Sequence, residues 1–198
     1  MLEIKIIQSL QEVEQLEEIE VGCQLWGTTN MPKTYAKMGY VQNDGFYVKW
    51  VCMEKNPRRT FTKHNSPVCQ DSAMEIFLQM PEYSMEYMNF EVNANGTILA
   101  EYGPQRHGRV RYDEEQIALM NCRTELLADR WIVWYRIPNE LMRCICETME
   151  LNKGSTFMIN FFKVCEGRTP GEYGAYADIP LPKPSFHEPQ FFVKAVLV

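Results

Sequence analysis

The sequence predicts an all-β protein, an antiparallel two-sheet β-sandwich of jelly-roll-like form with a few short helices. Three observations carry that prediction. Residues 71–80 and 87–96 alternate apolar and polar side chains with a period of two, as strands with one buried face do. About nine apolar runs of strand length recur along the chain, bounded by Gly, Pro, Asn and Asp. Aromatic residues make up 12% of the chain, a share that favours β structure. No repeat, low-complexity linker or break in composition divides the 198 residues, so one domain over 1–198 is expected.

The stretch 71–96 organises the rest. Met74, Ile76, Leu78 and Met80 share one face of the first run, and Asp71, Glu75 and Gln79 the other, with Phe77 among them. In the second run Met88, Phe90 and Val92 are the apolar face, and Tyr87, Asn89, Glu91 and Asn93 the polar one. Asn95-Gly96 marks a tight turn, because both residues tolerate positive φ. Paired in one sheet, these runs set a core face against a plate of carboxylates, amides and rings. Such a plate suits a polyhydroxylated ligand, whose hydroxyls pair with carboxylates and amides and whose C–H face packs on a ring. A plainly solvated sheet face is the alternative.

Composition excludes several classes. Hydrophobic content of 45% and charged content of 23% are those of a globular protein long enough to bury a core. A net charge of −6 gives no electrostatic footprint for nucleic acid and argues against an anionic membrane surface. The start, Met1-Leu2-Glu3-Ile4-Lys5, is not a signal peptide, and no apolar run approaches the roughly 18 residues of a membrane span. The seven cysteines are scattered, with Cys144-Ile145-Cys146 the one close pair. Reduced thiols in a cytoplasmic protein are the expectation.

Taken in order, residues 2–7 read as a strand and Ser9-Leu10-Gln11-Glu12 as a capping box opening a short helix. Trp26 reads as core or rim. Residues 34–41 and 46–54 form a hairpin around Asn43-Asp44-Gly45, with Phe46, Val48, Trp50 and Cys52 on its core face. The loop 55–70 can reach over the polar plate, and His64 on it reads as solvated. Residues 97–102 return as a strand, 103–108 loop out, 109–111 are briefly extended, and Asp113 caps a helix running to about Met120. Residues 121–127 and 130–137 form a hairpin covered on both sides; Pro138 ends it, and Asn139 caps a helix over 140–148. Residues 156–164 are a strand whose Asn160 is tied to backbone or part of a site. The Pro-rich tail, 179–198, ends in a strand from 190.

Five motifs in fixed order then carry a resemblance. They are Asp71-Ser72-x-x-Glu75-x-Phe77; Tyr87-x-Asn89-Phe90-Glu91-x-Asn93-x-x-Gly96; Trp134 before Ile137-Pro138; Asn160-Phe161-x-Lys163; and Phe186-His187-x-Pro189. Over roughly residues 35 to 198 the chain resembles the carbohydrate-binding family 9-like proteins, relatives of modules attached to some bacterial xylanases. The resemblance implies a DOMON-like β-sandwich. It also implies a site where two Trp rings sandwich a terminal glucose-type residue and polar groups bind its hydroxyls. The family's carboxylate matches Glu75, and its polar second strand Asn89, Glu91 and Asn93. Val68-Cys69 stand where the first Trp wall is, and Tyr176 stands near the second. Some such modules bind calcium, but no run here has the Asp/Asn spacing of a calcium loop; other DOMON domains suggest heme, but no Met and His pair is fixed by spacing, and no cofactor is expected.

The leading function is therefore non-catalytic binding of a small sugar or oligosaccharide end by Glu75, Asn89, Glu91, Asn93 and Asn160, under the ring of Tyr176, with Lys163 and Arg168 as nearby cations. A glycoside hydrolase using Glu75 and Glu91 is a second reading, if the two lie about 5–9.5 Å apart. A structural or protein-interaction domain that has lost its sugar site is a third, and it leaves a protein partner open.

Overall fold

The computed structural model describes residues 1–147 and 150–198. Its strands are β1 (Leu2–Ile7), β2 (Ile19–Glu20), β3 (Cys23–Gln24), β4 (Thr34–Val41), β5 (Gly45–Cys52), β6 (Ala73–Gln79) and β7 (Tyr87–Asn93). They continue with β8 (Ile98–Gly103), β9 (Val110–Arg111), β10 (Arg123–Leu126), β11 (Trp131–Pro138), β12 (Thr156–Cys165), β13 (Glu172–Ala175) and β14 (Val193–Leu197). Two short helices, α1 (Glu114–Ala118) and α2 (Asn139–Met142), and three 3-10 turns complete it.

The fold is mostly β, but it is not the purely antiparallel pair of sheets that the sequence predicts. Hydrogen bonding runs unbroken through β10-β11-β5-β4-β1-β14-β12-β6-β7-β8-β9, with β2 and β13 joined to it and β3 held on β13. The bridge is β1, and its pairings are parallel. Leu2–Ile4 pair with β14 and Lys5–Ile7 with β4, so one strand passes from one half of the curled sheet to the other. Alternation along a strand shows which face is buried; it carries no information about the direction of the neighbour.

The core lies between the two halves. Met74, Ile76, Leu78, Met88, Phe90 and Val92 are buried as their alternation requires, and they meet Phe46, Val48 and Trp50 from β5 in one cluster. Trp50 packs edge-on against Phe161 at 5.8 Å and donates its indole N–H to the hydroxyl of Tyr135 at 3.1 Å. A large polar-tipped ring is thus buried with its donor satisfied.

The opposite face of β6, β7 and β12 is not a solvated plate. Its own Phe77, Tyr87, Phe162 and Val164 are covered by Leu25 from a loop and by Ile179, Phe186 and Phe192 from the Pro-rich tail. Phe186 stacks on Phe162 with ring centroids 4.1 Å apart. The tail is therefore a lid over the sheet, and only Val193–Leu197 of it is strand.

Local details differ in physically simple ways. Ser9 does not cap an amide: its hydroxyl donates to Glu12, and the run Leu10–Gln15 is a 3-10 helix. Asn139 is the first residue of α2 rather than its cap, and its side chain bonds the hydroxyl of Tyr40. That helix ends at Met142, and Thr148, where the sequence ends it, lies outside the described residues. His64 is half-buried and accepts the N–H of Ile98 at 3.1 Å. On β11, Trp131, Val133 and Tyr135 are buried while Trp134 and Arg136 are only half-covered. Gly96, at φ 77°, makes the expected turn after β7.

Replacing Phe161 by Ala should cost about 3–5 kcal/mol, because the ring fills the centre of the core and the cavity cannot collapse. Urea unfolding measures this, and a loss below about 1 kcal/mol would show that the core is not continuous at that point.

Candidate functional site

The pairing of β6 with β7 places Glu75 directly opposite Glu91. Side chains at opposed positions leave the sheet about 5 Å apart on the same face. Both glutamates are buried, 2% and 5% exposed, and both line a cavity of about 80 Å³. Its walls are Trp26, Phe77, Tyr173 and Phe186; Glu166, Cys69, Arg106 and His187 line its sides and mouth. A wider open trough of about 810 Å³ adjoins it, sharing Cys69, Glu91, Arg106 and His187.

A relay fixes one of the two acids. Arg109, with a side chain 1% exposed, lies over the Tyr87 ring at 4.2 Å and donates to the carbonyls of Tyr87, Gly103 and Gln105. Its Nε donates to Asn89 Oδ1 at 2.9 Å, which orients the amide, and Asn89 Nδ2 donates to Glu91 Oε1 at 2.9 Å. Glu91 Oε2 is left buried without a partner. Such an atom is expensive to leave unmatched and is rare in a settled core. On the other side, His187 Nδ1 and the Tyr87 hydroxyl are 2.8 Å apart, and the imidazole sits 4.9 Å from the Phe77 ring.

The electrostatics follow from burial. Burial raises the Glu75 carboxyl well above its usual range, and the charges of Glu91 and Glu166 push it further. Burial also raises Glu91, to about 8; Glu101 and Glu166 add to the rise, while Asn89 and Arg109 oppose it. At an effective dielectric of about 20, two full charges about 5 Å apart repel by about 3 kcal/mol. The pair therefore holds a proton near neutrality. Burial, with Arg109 and Arg106 nearby, lowers His187 to about 3, so the ring is neutral. Burial and the surrounding glutamates push the Cys69 thiol up, away from thiolate chemistry.

Of the residues that the sequence assigns to a site, Glu75, Asn89 and Glu91 come together here. Asn93 faces the same way but is used up inside the fold: its Oδ1 accepts the N–H groups of Asn95 and Thr97, and its Nδ2 donates to Phe61 O and Asp71. Asn160 clamps the residue after Tyr176, accepting Ala177 N–H at 3.0 Å and donating to Ala177 O at 3.1 Å. Lys163 stands on the core side of β12, fully buried, with its ammonium on Val164 O and 4.0 Å from Glu172. Arg168 pairs with Glu54 and Glu172, away from the cavity. Tyr176 also faces the core, edge-on to Phe161 at 6.0 Å. The reason is register. Ala175 pairs with Phe162, so Tyr173 and Ala175 share the Glu75 face while Gly174 and Tyr176 turn away.

Sequence reasoning therefore passed over Tyr173, Glu166, Arg106 and His187 as pocket residues, and read Trp26 as structural. Trp26 adopts φ 49°, a left-handed conformation that is costly for a bulky residue and concentrates at functional sites. Its indole donates to Leu181 O at 2.7 Å, and its ring meets Tyr173 at 5.3 Å and Phe186 at 5.5 Å. Among the described residues, no group of three or more His, Cys, Asp or Glu side chains is placed to hold a metal.

The raised Glu91 carboxyl has a consequence for stability. Folding favours its neutral form, so its contribution is complete below the unfolded value near 4.5 and lost as pH rises through about 8. Glu91→Gln, which matches the neutral acid in shape, should melt at a temperature progressively above the wild type as pH goes from 5 to 8. Differential scanning calorimetry showing a constant gap would contradict the buried, protonated pair.

Comparison places this geometry among known proteins. The chain is similar over its full length to a Bacteroides uniformis protein described as carbohydrate-binding (TM-score 0.80, 19% identity, 98% of that chain covered). It is also similar to a carbohydrate binding module family 9 from Caldicellulosiruptor kristjanssonii, solved with cellotriose and with glucose. Both of those structures match with TM-score 0.68 and 15% identity over 99% of this chain, covering 92% and 95% of theirs. No curated protein matches the chain. These likenesses show the fold. The model of carbohydrate-binding family 9 matches residues 5–197, and this chain belongs to that family.

Proposed function

We propose that the protein binds carbohydrate without transforming it, holding a sugar ring or oligosaccharide end in the cavity over Glu75 and Glu91. One observation carries the reading. Two opposed buried carboxylates, one with an unpartnered oxygen, form the floor of a cavity walled by Trp26, Tyr173 and Phe186. Hydroxyls would supply the missing hydrogen bonds, and the rings the apolar C–H contact. The family membership and the cellotriose and glucose bound by the Caldicellulosiruptor modules support that ligand class. The curled sheet is in keeping with a DOMON-like sandwich of one domain. The adjoining trough, shared at Glu91, Arg106 and His187, suits further sugar units. The seven free thiols support a reducing, cytoplasmic setting.

Binding fits this floor better than hydrolysis. A glycosidase needs its two carboxyl groups in different protonation states, one acid kept neutral and one ionised. Here burial raises both, and neither forms an ion pair among the described residues that would fix which of the two is the ionised one. Both also rise from neighbouring strands of one sheet, side by side at opposed positions.

Titration calorimetry with glucose, cellobiose and xylobiose tests the proposal. Binding at millimolar concentration or below is expected for at least one of them. Tyr173→Ala and Trp26→Ala should each weaken it several-fold, about the value of one ring contact. Tyr176→Ala should lower the melting temperature while leaving the affinity unchanged. No binding to any sugar, or equal loss from Tyr176→Ala and Tyr173→Ala, would refute the site.

A further inference from the structure

The floor of the cavity gathers acidic groups whose charge a neutral sugar does not offset. Glu75, Glu91 and Glu166 all line it, and the Glu75 carboxylate gains no hydrogen bond from the protein among the described residues. Glu91 Oε2 is likewise unmatched. Of the cations around it, Arg109 is engaged and Lys163 is remote, while Arg106 lines the mouth. Arg109 is committed to four carbonyls and Asn89; Lys163 lies on the far face of β12; Arg106 is exposed at the mouth and makes no ion pair among the described residues. His187 is held on Tyr87 as a neutral ring, and Cys69 leans on Glu166 at 3.6 Å.

We infer that the cavity is built for an amino sugar, a pyranose whose primary ammonium sits between Glu75 and Glu91 while Trp26 and Tyr173 contact its ring. The inference rests on the sugar-site reading above and narrows it. An ammonium has three donors and no acceptor, which is the complement of a floor of acceptors. A hydroxyl carries no charge, so it leaves the proton trapped on the two acids. A single positive charge relieves their repulsion and forms charge-assisted hydrogen bonds, about twice as strong as neutral ones. Trp and Tyr faces close by attract a cation as well as the C–H face of a sugar. The neutral His187 leaves a ring nitrogen for a ring hydroxyl without adding a competing charge.

Calorimetry at pH 6 with four probes decides it: glucosamine, glucose, N-acetylglucosamine and cyclohexylamine. Glucosamine should bind at least about tenfold tighter than glucose, the scale of a charged hydrogen bond. N-acetylglucosamine, whose amide carries no charge, should bind no better than glucose. Cyclohexylamine, an ammonium without hydroxyls, should bind far more weakly than glucosamine. Repeating the glucosamine titration in buffers of different ionisation enthalpy should show protons released, because the acids ionise as the ammonium arrives. Glu91→Gln should bring the glucosamine-to-glucose ratio to about one, and Glu75→Gln, still folded by thermal melt, should do the same. If glucose binds as tightly as glucosamine, the amino-sugar inference falls and the sugar site stands. If cyclohexylamine matches glucosamine, the cavity is an ammonium site and the amino-sugar inference also falls. If no probe binds, both readings fall together.

Discussion

Setting Glu75 opposite Glu91 on two buried neighbouring strands opposes the usual preference for keeping carboxylates in water, and much of the surrounding architecture exists around that pair. An exposed sheet face would have left both acids hydrated and ordinary. Here the tail from Ile179 to Phe192, with Phe186 stacked on Phe162, closes over the face and removes the water. The acids then repel, hold a proton, and leave an oxygen without a partner. The same lid carries the imidazole of His187 to the cavity that the acids floor, and its Leu181 carbonyl and Phe186 ring hold Trp26 and Tyr173 at the wall.

The rest of the site keeps this arrangement in place. Arg109 ties the loop after β8 to the sheet through four carbonyls, stacks on Tyr87, and orients the amide of Asn89 toward Glu91. Below, Glu54 accepts from Ser72, Trp131 and Arg168 and so joins the end of β5 to the start of β6 and to the loop after β12. Burial alone would raise the Glu54 carboxyl, but Lys163, Ser72, Trp131 and Arg168 draw it below its usual range. The contrast is instructive: Glu54, just after β5, is matched by cations and hydrogen bonds, while the pair on β6 and β7 is left open. The matched one is scaffold.

How much of this was legible in the sequence follows from what alternation can encode. Period two in residues 71–80 and 87–96 separates the core face from the Glu75 face, and the hairpin places Glu75 and Glu91 on the same side. It could not show that this side is covered, because the cover comes from Trp26, Arg106, Glu166 and the tail, distant in sequence. On β12 both faces are apolar, so alternation gave Lys163 no side, and the structure puts it in the core. Tyr176 and Tyr173 differ only in register. That register is set where Gly174 meets Met31, since a Cβ on residue 174 would lie 2.1 Å from the Met31 sulfur. The parallel pairings of β1 were equally out of reach, as a strand reads the same toward a neighbour of either direction. The motif resemblance supplied the family, which physical patterning alone would not have done.

The central claim is that the opposed glutamates are the floor of the ligand site, and carboxyl-carbon NMR of Glu75 and Glu91 tests it most directly. In the free protein at least one of the two resonances should titrate well above the ordinary glutamate range, toward pH 8. A saturating sugar ligand should then shift both, while Glu54 and Asp71 stay where they were. Ordinary titration near 4.5 for both, or ligand-induced shifts confined to other glutamates, would contradict the account.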